Sequence, residues 1–216
     1  RERGPPMSTL AELLPRLTAA LPEPAGAAWD ADQLTAALRR ALAEYSRARP
    51  RRLAEALPSA AGSRLVSLAG LSGLQTVLEV HYPYDPLIPA WPPARPAWRL
   101  REAATLELLV PEAPRADGTD DVLVFYEAAH TIAGLDGAEE TTLEAPGEEV
   151  LLVGAAAYAV EGLALALVGR VTVGGAAERY SAWAAGRLAC YRQALAEAAA
   201  LVPAIADPRV PWEGGI

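Results

Sequence analysis

WDADQLTAALRRALAEYSRARP, running from Trp29 to Pro50, is the stretch whose period decides the fold. Leu34, Leu38, Ala41, Leu42 and Tyr45 recur at helical spacing and draw one apolar stripe. Asp30 is a good N-cap, and Gln33 three residues later has the spacing of a capping box. Trp29 before the cap and Leu34 after it are placed for a hydrophobic staple. Pro50 limits how far the helix can run. The stretch therefore predicts a long amphipathic helix that needs partners for its stripe.

Toward the N-terminus, Ser8 can cap a shorter helix carrying Leu10, Leu13, Leu14, Leu17 and Leu21. Pro15 falls inside this pattern and should kink or break it. Met7 reads as a natural start, so residues 1–7 are set aside as an extension. No apolar segment follows their basic residues, so they do not form a signal peptide.

Toward the C-terminus the period changes. Arg64–Leu68, Gln75–Tyr82, Trp98–Arg101, Thr105–Val110 and Asp121–Glu127 read as strands. Asp117-Gly118 is a hairpin signal between the last two. The connections are too short for parallel crossovers, so the region is antiparallel. A proline-rich loop from Pro83 to Pro96, around Trp91, interrupts it. Helix returns near Pro146, with Glu148 and Glu149 at the positive end of its dipole. The apolar run Val150–Val168 carries Gly154, Glu161 and Gly162, and reads as a helix buried between neighbours rather than a membrane span. A last helix, about Ala176–Leu201, has a core stripe of Tyr180, Trp183, Leu188, Tyr191 and Leu195, with Arg179, Arg187 and Arg192 outside it. The tail from Pro203 to Ile216 has three prolines and Trp212. These elements predict an α+β fold. Residues 8–55 and 145–201 form a helical bundle, residues 56–144 a β-rich insertion, and residues 202–216 an extended tail.

Composition narrows the function. The chain has 216 residues, 52% hydrophobic and 21% charged, enough for a real core and too little charge for disorder. A single cysteine, Cys190, excludes a disulfide framework, and its helical spacing to the last stripe predicts a buried thiol. There is no lysine and no asparagine. The net charge of −8 argues against a generally basic nucleic-acid binder. That charge is concentrated: Arg101–Val150 holds thirteen acids and two arginines. Such a run reads either as a solvated surface or as a face that repels something, DNA phosphates being one candidate. Arg47, Arg49, Arg51 and Arg52 form a basic cluster around Pro50. It suits either a helix C-terminus or contact with phosphates or an acidic protein patch.

Chemistry is scarce. His81 and His130 fall in different predicted elements, and no HxxxH or Cys-His spacing occurs, which argues against a zinc site. A phosphate-binding loop of the GxxxxGK type is impossible without lysine, and no GxSxG elbow is present. The paired acids Asp120-Asp121, Glu139-Glu140 and Glu148-Glu149 read as solvated rather than catalytic. The residues point to a structural or binding protein, not an enzyme, with no cofactor.

The order of these motifs carries a family resemblance. WDADQLTAALRRALAEYSRARP is followed by GSRLVSLAGLSGLQTVLEVHYPYDP (Gly62–Pro86), then by TLELLV, DVLVFYEAAHTIAGLDG, TTLEAPGEEVLLVGAAAYAVEGLA and YSAWAAGRLACYRQAL. From about Met7 to Leu201 this resembles the head-to-tail connector, or neck adaptor, proteins of tailed bacteriophages. The resemblance implies a virion protein made in the host cytoplasm. It would form a ring, typically of twelve copies, beneath the portal protein, extend the DNA channel and meet a tail or second neck protein. DNA would pass without sequence-specific binding, and no membrane is involved. Trp212, Val210 and Ile216 would dock on the portal. Asp117, Asp120, Asp121, Glu139 and Glu140 would face the channel or its rim, and Arg47, Arg49, Arg51 and Arg52 would form a contact patch. The long proline-rich loop departs from the family pattern and suggests a contact arm. Two competing readings are a tail-completion or tail-terminator subunit and a non-phage protein, either a small-molecule enzyme or a lipid- or ligand-binding α+β domain.

Overall fold

A computed structural model describes residues 8–23, 29–85, 87–102, 104–115, 121–168 and 175–202. The fold is mixed α+β and divides into two compact units. Described residues up to Arg49 and from Thr131 onward form a helical unit, and Pro50–His130 form a β unit inserted between its halves.

The helical unit holds α1 (Leu10–Ala19), α2 (Ala31–Ala48), α3 (Ala145–Val168) and α4 (Ala176–Ala200). The α2 stripe is buried as its period demands: Leu34, Leu38, Ala41, Leu42 and Tyr45 join Leu13 and Leu17 of α1 and Leu151, Leu152 and Ala155 of α3 in one core. Trp29 packs on the same core, and Asp30 caps the helix by accepting from the Asp32 N–H at 3.3 Å. Helix α3 is long and apolar enough to cross a membrane, yet 61% of its most apolar window is buried by the rest of the chain. Small residues bring its neighbours close. A side chain added at Gly154 would lie 2.6 Å from the ring of Tyr191, and one at Gly147 would lie 2.7 Å from the Tyr45 hydroxyl. Tyr191 is fully buried and donates to the Ala41 carbonyl at 2.7 Å, tying α4 to α2.

Four expectations are corrected in this unit. Thr9, not Ser8, caps α1, and the Glu12 carboxylate accepts from the Thr9 N–H at 2.7 Å and its hydroxyl at 3.0 Å. Ser8 instead bonds Glu148. Pro15 does not break α1, which runs on to Ala19, because Leu13 and Leu17 on either side are fully buried and hold the turn. Cys190 is exposed, because the buried positions of α4 follow Ala184, Leu188 and Tyr191, and Cys190 lies one step around the helix from that line. The residues 131–144, assigned to the β insertion, belong to the helical unit: the Leu10 N–H donates to the Ala133 carbonyl at 2.9 Å, and Thr141 donates to the Ser8 carbonyl at 2.8 Å.

The β unit holds two antiparallel three-stranded sheets. The first has the order β1 (Arg51–Leu57), β6 (Asp121–Ala128), β3 (Leu74–Tyr84). The second has the order β2 (Leu65–Ser67), β5 (Thr105–Leu108), β4 (Trp98–Glu102). Strand β6 alternates strictly, with Val122, Val124, Tyr126 and Ala128 buried. These meet Val66, Leu106 and Leu108 from the other sheet in a single core. Two corrections follow. Residues 51–55, assigned to the helical bundle, are strand β1 paired along β6. The strands flanking Asp117-Gly118 do not form a hairpin with each other, because β5 and β6 lie in different sheets.

Candidate interaction surfaces

The basic cluster does not act as one helix terminus. Arg47 lies in the last turn of α2 and Arg49 follows as its C-cap, whereas Arg51 and Arg52 open β1. The boundary between the units runs between Arg49 and Pro50, so the four arginines are shared out two and two. Arg49 lies 3.7 Å from Glu144 and Arg52 lies 3.4 Å from Glu127.

Six of the thirteen acids in the run pair with arginines from elsewhere in the chain. Glu127 and Glu144 take Arg52 and Arg49. Asp136 receives Arg39 through both carboxylate oxygens, with contacts between 2.6 and 3.0 Å. Glu107 accepts Arg99 at 2.6 Å and Arg101 at 2.8 Å, and the Arg101 and Arg99 guanidinium groups hold its carboxyl down to about 2. Glu149 pairs with Arg16 at 2.7 Å. Glu148 is the buried member. It accepts the Ser8 N–H at 2.8 Å, the Ser8 hydroxyl at 2.7 Å and Arg16 at 2.8 Å.

Of the acids expected on a channel or rim, Asp117 and Asp120 lie outside the described residues. Asp121 opens β6 opposite Tyr84 in the β unit and is half-buried. Glu139 and Glu140 are exposed on the loop before α3 in the helical unit. Asp121 and the Glu139-Glu140 pair lie in different units. The expected docking residues Val210, Trp212 and Ile216 also lie outside the described residues.

No reactive constellation is assembled among the described residues. His81 sits on β3, its Nε2 2.6 Å from Glu79, with its ring 4.9 Å from that of Phe125. Glu79 also pairs with Arg95. No group of three or more His, Cys, Asp or Glu is placed to hold a metal among the described residues.

The most exposed apolar surface is one that composition alone understates. Leu87, Ile88 and Trp91, at the tip of the β3–β4 loop, are 88%, 79% and 91% exposed. The sequence signal was three large apolar side chains spaced among prolines, with no polar face to balance them.

No family model matches this chain, and no curated protein matches it. Solved structures do. A chain in the neck of the empty GTA particle, computed with C6 symmetry, is 19% identical, with 79% of this chain and 87% of that one covered and a TM-score of 0.31. A chain in the neck of the native GTA particle, computed with C12 symmetry, is 18% identical over 79% and 86%, with a TM-score of 0.30. A chain in the virion of the native gene transfer agent particle is 15% identical over 77% and 87%, with a TM-score of 0.31. At that level of superposition the likeness carries no argument about what this chain assembles with.

Proposed function

We propose that this chain is a structural protein of a phage-type neck, a head-to-tail adaptor that forms a ring beneath the portal and continues the DNA channel. The observation that supports this most is the architecture. Both ends of the chain contribute helices to one unit, and a β unit, Pro50–His130, is inserted between them. That is the arrangement implied by the resemblance of the sequence to connector proteins. In this reading the partners are the portal protein, a tail or second neck protein, and further copies of the chain in a twelve-membered ring. The segment with Val210, Trp212 and Ile216 docks on the portal. Asp121, Glu139 and Glu140, with Asp117 and Asp120, discourage DNA from adhering to the passage, since like charge lowers local affinity for phosphates. Arg47, Arg49, Arg51 and Arg52 contact an acidic neighbour. The protein has no catalytic role.

The test is co-expression with a portal protein of a tailed phage, followed by mass measurement of the purified complex. A ring-sized oligomer of this chain on the portal is the expected result. A compact monomer that ignores the portal and takes up a small molecule overturns the reading.

A further inference from the structure

We propose that copies of this chain join through the tip of the β3–β4 loop, Leu87–Trp91, which seats Trp91 in the cleft between α1, α3 and α4 of the next copy. The proposal rests on the ring reading above and names the contact that would build the ring.

The tip is shaped for insertion. Its three large apolar side chains lie almost wholly in solvent within five residues of one another. Its base is braced: the Tyr82 N–H donates to the Ala94 carbonyl at 3.1 Å, and Arg95 pairs with Glu79 on β3. The Asp85 carboxylate accepts from the Leu87 N–H at 2.8 Å and the Ile88 N–H at 3.3 Å, which pre-orders the turn. Pro89, Pro92 and Pro93 restrict the remaining backbone. A tip ordered before binding loses little entropy on docking. Tryptophan is also among the side chains enriched at the energetic hot spots of protein interfaces.

The cleft matches it in size and chemistry. It is a half-open cleft of about 380 Å³ in the helical unit. Leu152, Val153 and Ala156 supply an apolar floor, and the small Ala19 keeps its mouth open. Arg16, Glu149 and Arg187 also line it, and because Arg16 pairs with Glu149 at 2.7 Å the lining keeps one net positive charge, that of Arg187. Arg187 lies 5.2 Å from the centre of the Trp183 ring, outside the cleft, and a guanidinium in that position can also accept the face of an incoming indole. Asp85, beside the tip, is opposite in charge to Arg187. Tip and cleft belong to different units of the chain, so a contact between them joins unlike surfaces on successive copies. Such a contact repeats around a ring, whereas a self-complementary patch would stop at a dimer.

Disulfide trapping tests this in a Cys190→Ser background. Chains carrying Trp91→Cys and chains carrying Ala19→Cys are mixed and oxidised, and the doubly substituted chain is oxidised alone. The expected results are a mixed dimer from the first and a ladder of oligomers from the second. In parallel, Trp91→Ala and the cleft-blocking Ala19→Arg should each weaken self-association by about tenfold or more. Leu65→Ser, at another exposed apolar position, should leave it unchanged. An internal crosslink without a ladder would show the tip docked on its own chain and overturn the proposal. A ring that forms equally well from Trp91→Ala chains would overturn it while leaving the adaptor reading intact. A chain that self-associates under no condition, alone or with the portal, would remove both.

Discussion

Glu148 shows how a residue legible only as half of an acidic pair acquires a structural role. Burial by itself raises its carboxyl, but the Arg16 guanidinium and the Ser8 N–H and hydroxyl outweigh burial and hold it below its ordinary value. A carboxyl lowered in the folded state contributes stability above its unfolded pKa, and that contribution is lost as pH falls through the folded pKa. Glu148→Gln is therefore expected to cost about 1–3 kcal/mol at neutral pH. It should also flatten the acid limb of the stability curve, which urea unfolding at neutral pH and at about pH 3 will read. Gly154 sits where two effects compete. Alanine is the better helix former by about 1 kcal/mol. The clash with Tyr191 should win, because that ring is fully buried and tied to Ala41 and cannot give way. Gly154→Ala should lower stability by about 1–3 kcal/mol in the same measurement. Cys190, expected in the core and found exposed, should react stoichiometrically with a thiol reagent in the native protein, at the same extent as after unfolding. The burial of Cys190 was misread because helical spacing marks a face only to within one residue, and neighbouring α4 positions differ by about 100°.

At the scale of elements, α1 runs through Pro15 at a cost. Proline removes one backbone donor and crowds the preceding turn, yet Leu13 and Leu17 anchor the helix on both sides. Pro15 is exposed, so Pro15→Ala relieves the backbone without touching the core. It should raise stability by about 1–3 kcal/mol, seen as a higher urea midpoint with an unchanged slope. Helix α2 is readable from its stripe, its N-cap residue and its limiting proline, which are all local, although Asp30 takes the Asp32 N–H rather than the partner three residues on that the Gln33 spacing suggests. Strand β1 is not readable in this way. RRLAEAL, with Leu53 and Leu57 four apart, reads as readily as the end of a helix. Its extended state comes from pairing with β6, some seventy residues further along. The Asp117-Gly118 signal failed for a related reason. A turn dipeptide announces a reversal of the chain, but which strands pair is decided by where their apolar faces are buried.

For the whole molecule, the division into two units makes a separable prediction. Leu106 is fully buried in the β unit and absent from the helical core. Leu106→Ala should cost about 2–5 kcal/mol there. Hydrogen exchange should then lose protection in β3, β5 and β6 while amides of α2, α3 and α4 keep theirs. Equal loss throughout would show that the chain unfolds as one cooperative body. The charge also reads differently at this scale. The excess of acids between Arg101 and Val150 looked like one negative surface. Arg16, Arg39, Arg49, Arg52 and Arg99, all outside that run, come back to six of those acids. What is left for a partner to meet is a handful of residues divided between the units.

Sequence by itself determined the α+β class, the four helices, five of the six strands and the presence of an inserted antiparallel region. Each follows from periods and turn residues that act within a dozen positions. Only the tertiary structure decided the rest. It placed the unit boundaries at Arg49 and His130, paired β1 with β6, buried Glu148 under Ser8 and Arg16, turned Cys190 outward and left Leu87, Ile88 and Trp91 uncovered. Those outcomes depend on which distant segments come within contact distance. Ion pairing and burial are set by three-dimensional neighbours, and a count of charges along the chain is blind to them.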